Sequence, residues 1–348
     1  MKIYPNFLTK IVVFLVAISS PLLLLKISKS IAHQGTSICL AGDTRLGISK
    51  KPFQFVEKIF STCNLKFLNL EEALTNYPHK TEAKSWESIK AKRNYIFKAD
   101  PKLAFLLHEA HIDGVSLANN HSGDYQTQDM LDTMEALKKF HIGFAGLGKN
   151  LDEATSPLIL NVNKNKIAFA SFTKIVPIGF AATKTKPGMA RLDPNLTQVK
   201  MALGKIPPDC ALTIVSYHWG VEIADYPQSW QKDIAHKTID MGADIIMGHH
   251  PHVLQGIEIY KDRPIFYSLG NFVFGSRSLA ARTTMIAKVN LSESGKPTSI
   301  DIFPLLISNH RPIPAPDPAS VIKRIIKASS PFGTKFIKNT NGTLTINL

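Results

Sequence analysis

The sequence predicts an α/β fold with a largely parallel sheet order, and three observations predict it. Short apolar runs alternate with segments of helical period along most of the 348 residues. Five of those runs end in polar, turn-forming sequence, the pattern of strands that deliver side chains to the carboxyl edge of a sheet. The hydrophobic fraction is 44% against 20% charged, which suits a packed core and not a disordered chain. No repeat or low-complexity tract interrupts it, so one principal domain is expected.

The N-terminus differs in kind. Lys2 and Lys10 precede an uncharged stretch over 11–25, and Lys26 and Lys29 follow it. A basic start and an apolar run read as a secretory signal, with Ser30-Ile31-Ala32 as a small-residue cleavage site. The two lysines between run and site speak for the alternative, an uncleaved membrane anchor, although the run is shorter than the roughly 20 residues of a full span. Either reading of residues 1–32 puts the rest of the chain outside the cytoplasm, periplasmic, secreted or membrane-anchored.

Beyond the leader, 36–41 reads as a strand, 53–63 as an amphipathic helix and 65–70 as a second strand. Asp100-Pro101 joins an N-cap acid to a helix-opening proline, and 102–111 carries the helical period. A third strand is expected at 114–117, and a helix over 127–140 that Gly143 closes. Strands follow at 167–172, 212–217, 244–247 and 265–269, with a helix at 231–241. Asn163-Lys164-Asn165 is a hairpin turn, so some antiparallel pairing enters the sheet. The main domain is placed at 35–311. Residues 312–348 are expected as an appendix: a Pro-rich connector over 312–318, then a short basic helix over 320–327 that covers an edge. The three cysteines, Cys39, Cys63 and Cys210, read as buried thiols, because an odd count offers no paired framework.

Lys and Arg number 41 against 27 Asp and Glu, a net charge of +14. Such a field favours anionic surroundings. The basic residues are scattered, with only short clusters such as Lys90-Ala91-Lys92-Arg93 and Lys323-Arg324, and no aromatic-basic module accompanies them. No nucleic-acid partner is expected, because net charge alone reads no sequence.

The five strand ends are Ala41-Gly42-Asp43, Leu68-Asn69-Leu70-Glu71, Leu117-Ala118-Asn119-Asn120-His121, Ser216-Tyr217-His218-Trp219-Gly220 and Met247-Gly248-His249-His250-Pro251-His252. Five of the 12 histidines fall in three of these loops. Imidazole nitrogen mixed with carboxylate oxygen is the ligand set of Zn, Mn, Fe or Ni. The proline between His250 and His252 has a fixed φ and limits how that loop moves. Each loop alone has an ordinary explanation: a Gly-Asp turn, helix-start acids at Glu71-Glu72, a cap at Asn119-Asn120-His121. All five together would require five coincidences.

The runs Gly42-Asp43-Thr44-Arg45-Leu46-Gly47, Asn69-Leu70-Glu71, Ala118-Asn119-Asn120-His121, His218-Trp219-Gly220 with Glu222, Gly248-His249-His250-Pro251-His252-Val253-Leu254-Gln255-Gly256 and Tyr267-Ser268-Leu269-Gly270-Asn271-Phe272 stand in this order. In them the chain resembles the CapA family of poly-γ-glutamate capsule synthesis proteins, within the calcineurin-like metallophosphoesterase superfamily, over about residues 37–311. The resemblance implies a four-layer α/β/β/α sandwich with a cleft for one or two divalent transition ions (Mn, Zn or Fe). It implies metal ligation by Asp43, Glu71, Asn120, His218, His250 and His252, with Glu71 where a bridging aspartate usually stands. It implies that His121 is catalytic, donating a proton to the leaving oxygen or stabilising its charge, and that Arg45, Asn119, Glu222, His249 and Asn271 face substrate. Two departures stand out: Arg45 replaces the histidine of the usual Asp-x-His element, and Asn69-Leu70-Glu71 replaces Gly-Asp-x-x-Asp. The implied function is synthesis, attachment or export of an anionic cell-surface polymer, in company with a membrane-bound synthesis complex. The alternatives are an extracytoplasmic metal-dependent phosphoesterase, a non-catalytic polymer-binding scaffold, and an amide hydrolase acting on a γ-glutamyl bond.

Overall fold

The structure is a computed structural model and describes residues 35–84 and 94–348. The expected leader over 1–32 and the cluster Lys90-Ala91-Lys92-Arg93 lie outside the described residues. Along the chain the strands are β1 (Ser37–Thr44), β2 (Leu65–Leu70), β3 (Ala73–Leu74), β4 (Lys98–Ala99), β5 (Gly114–Ser116), β6 (Gly143–Ala145), β7 (Leu147–Gly148), β8 (Leu158–Val162), β9 (Asn165–Thr173), β10 (Gly188–Met189), β11 (Cys210–His218), β12 (Ile245–His249), β13 (Ile257–Tyr260), β14 (Arg263–Phe266), β15 (Asn271–Val273), β16 (Thr283–Leu291), β17 (Pro297–Ser308), β18 (Arg311–Pro314), β19 (Ile337–Lys338) and β20 (Leu344–Asn347).

Two sheets dominate. The larger runs β19-β20-β17-β16-β1-β2-β5-β6, with β15 beside β1 and β18 beside β17; the smaller runs β13-β14-β12-β11-β9-β8. The centre of each is parallel, β1 with β2 with β5 with β6, and β9 with β11 with β12 with β14. Antiparallel strands edge both sheets, among them the β8–β9 hairpin that turns at Asn163 and Lys164, where the sequence places it.

Strand periodicity builds the layers. Ile38 and Leu40 of β1, Phe67 of β2, Phe169 of β9, Ile214 of β11 and Met247 of β12 meet in one core between the sheets. Their alternate neighbours point outward. Cys39, Leu68 and Val115 pack on Met130, Met134 and Leu137 of the helix Gln126–Lys139. Val215, Tyr217 and Ile246 pack on Ile234, Ala235 and Ile239 of the helix Ser229–Asp240. Helices thus cover both outer faces, and the four-layer α/β/β/α sandwich is present. Phe67 and Phe169 face each other across the middle with ring centroids 4.8 Å apart. Phe169→Ala is expected to cost about 3–5 kcal/mol in a denaturant titration, with the transfer and cavity contributions adding.

Several local expectations change. The segment 53–63 keeps its predicted burial, with Phe53, Val56 and Phe60 inside, but only Glu57–Phe60 is helical. Val56, at φ −116°, leaves the helical region, and the phenyl rings of Phe53 and Phe60 pack on Phe272 instead. Cys39 and Cys63 are not thiols: they form a disulfide with Cα atoms 5.7 Å apart. Cys39 lies on the outer face of β1 and Cys63 in the turn leading into its neighbour β2, so chain return sets them opposite each other within bridging distance. Cys210 is the remaining free cysteine.

The expected appendix is integral to the fold. The Pro-rich connector includes β18, which pairs with β17, and β20 pairs with β17 on its other side. Leu344 and Ile346 join the inter-sheet core, as do Val321, Ile322 and Ile325 of the helix Pro318–Ser329. Residues Gly35–Leu348 make one compact unit. Among the described residues no helix is long and apolar enough to cross a membrane.

Candidate metal centre

The polar strand ends of both sheets meet on one side of the sandwich. Asp43 is the next-to-last residue of β1, Glu71 follows β2, Asn120 and His121 lie beyond β5, His218 closes β11, and His250 and His252 follow β12. Two glycines permit the convergence. A Cβ on Gly42 would sit 2.0 Å from the Gly270 carbonyl oxygen, and one on Gly248 would sit 2.1 Å from that of Tyr267. Only glycine lets β1 and β12 pass their neighbours so closely just before their functional ends. Beyond β12 the backbone is strained: His250 has φ 94° and His252 φ 58°, positive values that bulky residues rarely adopt.

Glu71 is the centre of the cluster. Its Oε1 is buried without a hydrogen bond, yet Nε2 of His252, His218 and His121 stand 3.6, 3.7 and 3.9 Å from it. Asp43 Oδ1 accepts from Asn69 Nδ2 at 2.9 Å, and its Oδ2 lies 3.2 Å from His252 Nδ1. Asn120 Oδ1 is 2.7 Å from His218 Nε2. His250 Nδ1 is also buried without a partner. Two sets of ligand atoms each lie within 4.8 Å of one another: Glu71, His250 and His252, and Asp43, Glu71 and His218. Glu71 belongs to both.

The electrostatics fit a cation. Burial and the nearby Asp43 push the Glu71 carboxyl well above its usual range, only partly opposed by His252. Burial works against the Asp43 carboxylate too, but His249 and His252 outweigh it and hold Asp43 well below the usual value. Burial and neighbouring imidazoles drive His218 well below the ordinary histidine value, and His250 to about 3. His252 is the exception: burial opposes its charge, but Glu71 and Asp43 prevail and raise it to about 10. A protonated imidazole thus offsets two buried carboxylates, a balance that a divalent ion would supply more fully. Orphaned nitrogen and oxygen donors in this mixture fit a divalent ion.

Beside the cluster opens a cavity of about 490 Å³ whose walls include Arg45, Phe97, His121, Glu222, His252 and Phe274. The Arg45 guanidinium lies 3.6 Å over the Phe97 ring and 3.8 Å from Glu72. Glu72 is no helix-start acid: it accepts from the backbone N–H groups of Leu46 and Gly47. Asn271 lines the cavity, but its Oδ1 is 2.9 Å from His252 Nδ1 and its Nδ2 donates to the His252 and Ala281 carbonyls. It orients His252. Two residues expected at substrate are placed elsewhere. Asn119 is fully buried, donating to Asn69 Oδ1 and the Leu70 carbonyl and accepting from the His121 N–H. His249 is fully buried with Nδ1 3.1 Å from Asp43 Oδ1.

The family model described as "Bacterial capsule synthesis protein PGA_cap" matches residues 26–276. The chain belongs to the PGA_cap family. The capsule biosynthesis protein CapA of Bacillus anthracis is 34% identical over 246 residues, which cover 69% of this chain and 60% of that protein. The PGA biosynthesis protein CapA of Bacillus subtilis (strain 168) is 31% identical over 297 residues, 85% of this chain and 75% of that one. A solved structure of a hypothetical protein from Thermus thermophilus aligns over 78% of this chain and 100% of its own, with TM-score 0.50 and 15% identity, a likeness of fold.

Sequence reasoning misses part of this PGA_cap site. Asn69 links Asp43 to Glu71, at 2.9 and 3.3 Å, whereas the sequence names it in the run Asn69-Leu70-Glu71 without a role of its own. Asp124 holds His121 Nδ1 at 2.7 Å; its place three residues after His121 is the available signal. Phe97 stacks on His121 with centroids 4.1 Å apart, and nothing in the sequence marks it.

Proposed function

We propose that this chain serves the synthesis, attachment or export of an anionic cell-surface polymer similar to poly-γ-glutamate, through a divalent-metal hydrolytic site. The observation that carries the reading is the Glu71 Oε1 atom, buried, without a hydrogen bond, and faced by three imidazole Nε2 atoms at 3.6–3.9 Å. Asp43, Glu71, Asn120, His218, His250 and His252 would hold the ion or ions. When bound, a divalent ion supplies Lewis-acid polarisation of an anionic or carbonyl oxygen and eases loss of a proton from water.

The remaining steps belong to side chains. Asp124 orients the His121 ring, and Nε2 of His121, on the cavity side, holds or moves a proton. Arg45 gives the cavity wall a positive charge for an anionic substrate. Phe97 and Phe274 exclude water around it, and a cavity of about 490 Å³ suits the end of a chain or a small ester. The net charge of +14 favours a polyanion through an attraction that salt weakens. The Cys39–Cys63 disulfide supports an oxidising, extracytoplasmic location. A membrane-bound synthesis complex is the partner that fits this role.

Elemental analysis of the full chain, purified without chelator, is expected to find about one to two transition ions per chain, and fewer in His250→Ala. A screen of aryl phosphate and γ-glutamyl substrates is expected to show turnover that His121→Ala lowers by about 10²–10⁴-fold with metal content retained. Metal-free protein that still binds poly-γ-glutamate, with binding untouched by both substitutions, would replace this reading with that of a scaffold.

A further inference from the structure

Lys84, which follows β3, brings a cation into the site from behind. The Lys84 side chain is 9% exposed. Its ammonium donates to Asp124 Oδ1 at 2.6 Å, to the Asn120 carbonyl at 2.9 Å and to the Tyr95 carbonyl at 3.0 Å. These three acceptors use all three of its N–H bonds. His121 Nδ1 stands 3.4 Å from the same nitrogen with no ammonium proton left to receive. Its other neighbour is Asp124 Oδ2 at 2.7 Å, an oxygen that also accepts from the Phe97 N–H at 2.7 Å. Two lone pairs facing each other at that separation would repel, so the ring proton belongs on Nδ1.

We propose that Lys84 is a positioning residue: it fixes the Asp124 carboxylate so that His121 keeps its proton on Nδ1 and presents Nε2 to the cavity as the atom that exchanges protons with substrate. Lys84 does this from two sides. It pins the acceptor of the His121 ring, and through the Asn120 carbonyl it pins the backbone just before that ring. The same grip places Asn120, whose Oδ1 meets His218 Nε2 at 2.7 Å. The arrangement follows the logic of an acid–imidazole pair in which the carboxylate selects tautomer and orientation, with an ammonium added behind the acid. The exchange of protons at Nε2 rests on the hydrolytic reading above; the tautomer does not.

Imidazole ¹H–¹⁵N spectra of the full chain, metal-free and metal-loaded, test the placement, with His121 assigned by difference from His121→Gln. The expected result is an Nδ1–H signal in slow exchange with solvent and an unprotonated Nε2. Lys84→Met is expected to abolish or broaden that signal and to lower kcat per bound ion by about 10–100-fold, with KM unchanged and partial recovery in Lys84→Arg. Lys84→Gln, which keeps a donor without the charge, serves as a second neutral variant should Lys84→Met not fold. A His121 proton on Nε2 in the wild type would overturn the proposal. So would an unchanged Nδ1–H signal and kcat in the neutral variants, leaving Lys84 as an anchor for its own segment. Should the wild type turn over no ester or amide, the hydrolytic reading fails and the spectra still decide the tautomer.

Discussion

Glu71→Gln is expected to strip the metal from the chain and to lower turnover by more than about 100-fold, while the metal-free protein melts at or above the wild-type temperature. The two effects have one cause. Glu71 is fully buried, its Oε1 has no hydrogen bond, and burial together with Asp43 pushes its pKa well above the usual range. Without a cation, that carboxyl is a cost to the fold, and a neutral amide of the same shape relieves it. With a cation, Glu71 is common to both candidate ligand sets, so its loss touches every ion that the site holds. Substitutions behind a metal ligand typically cost about 10–100-fold in affinity or activity, and loss of a shared ligand should exceed that. Metal content by elemental analysis, turnover and thermal melting of chelated protein check the three parts separately. A metal-free variant less stable than wild type would mean that Glu71 is a structural hydrogen-bonding group, whatever its role in catalysis.

The fold is legible in the sequence because its signals are local and periodic. Alternation in β1, β2, β9, β11 and β12 follows directly from residues such as Ile38-Cys39-Leu40-Ala41, where one face meets the other sheet and the other meets helices. The convergence of Asp43, Glu71, Asn120, His218, His250 and His252 is legible for a related reason: parallel strands release their ends on the same side. What escapes the sequence acts across distance or from behind the ligands. Lys84 and Phe97 reach His121 although neither stands in one of the five strand-end runs, and nothing in their spacing predicts the approach. Asn69 reads as strand, because a side chain that links two carboxylates resembles any polar residue at a strand end. Counting cysteines fails since parity says nothing about which two are neighbours; the β1–β2 pairing settles that. The C-terminal strand β18 contains two prolines and β20 follows Asn341-Gly342-Thr343, so their pairing with β17 is a tertiary effect. Asn119 shows the converse hazard, since the family resemblance implies a contact with substrate where full burial leaves it none.

Metal uptake is expected to tighten steeply with pH, and the sign follows from which groups carry protons in the metal-free site. His218 and His250 lie below the ordinary histidine value, the latter at about 3, so both are neutral near pH 7 and give up nothing on binding. Glu71 is raised well above the usual carboxyl range and His252 to about 10 by the charge of Glu71 and Asp43, so the pair holds a proton that an incoming ion must displace. Displacing that proton makes affinity about tenfold tighter per pH unit, so a slope of about one decade per unit is expected from mildly acidic pH up to about 10. Stability of the metal-free chain runs the other way. The folded pKa of His252 lies above its unfolded value, so its contribution is full below the unfolded value near 6.5 and disappears as pH rises through about 10. The melting-temperature gap between metal-loaded and chelated protein should therefore widen as pH rises. A gap that stays level, with uptake independent of pH, would mean that His252 and Glu71 are already deprotonated in the empty site and that the buried negative charge is neutralised by some other group.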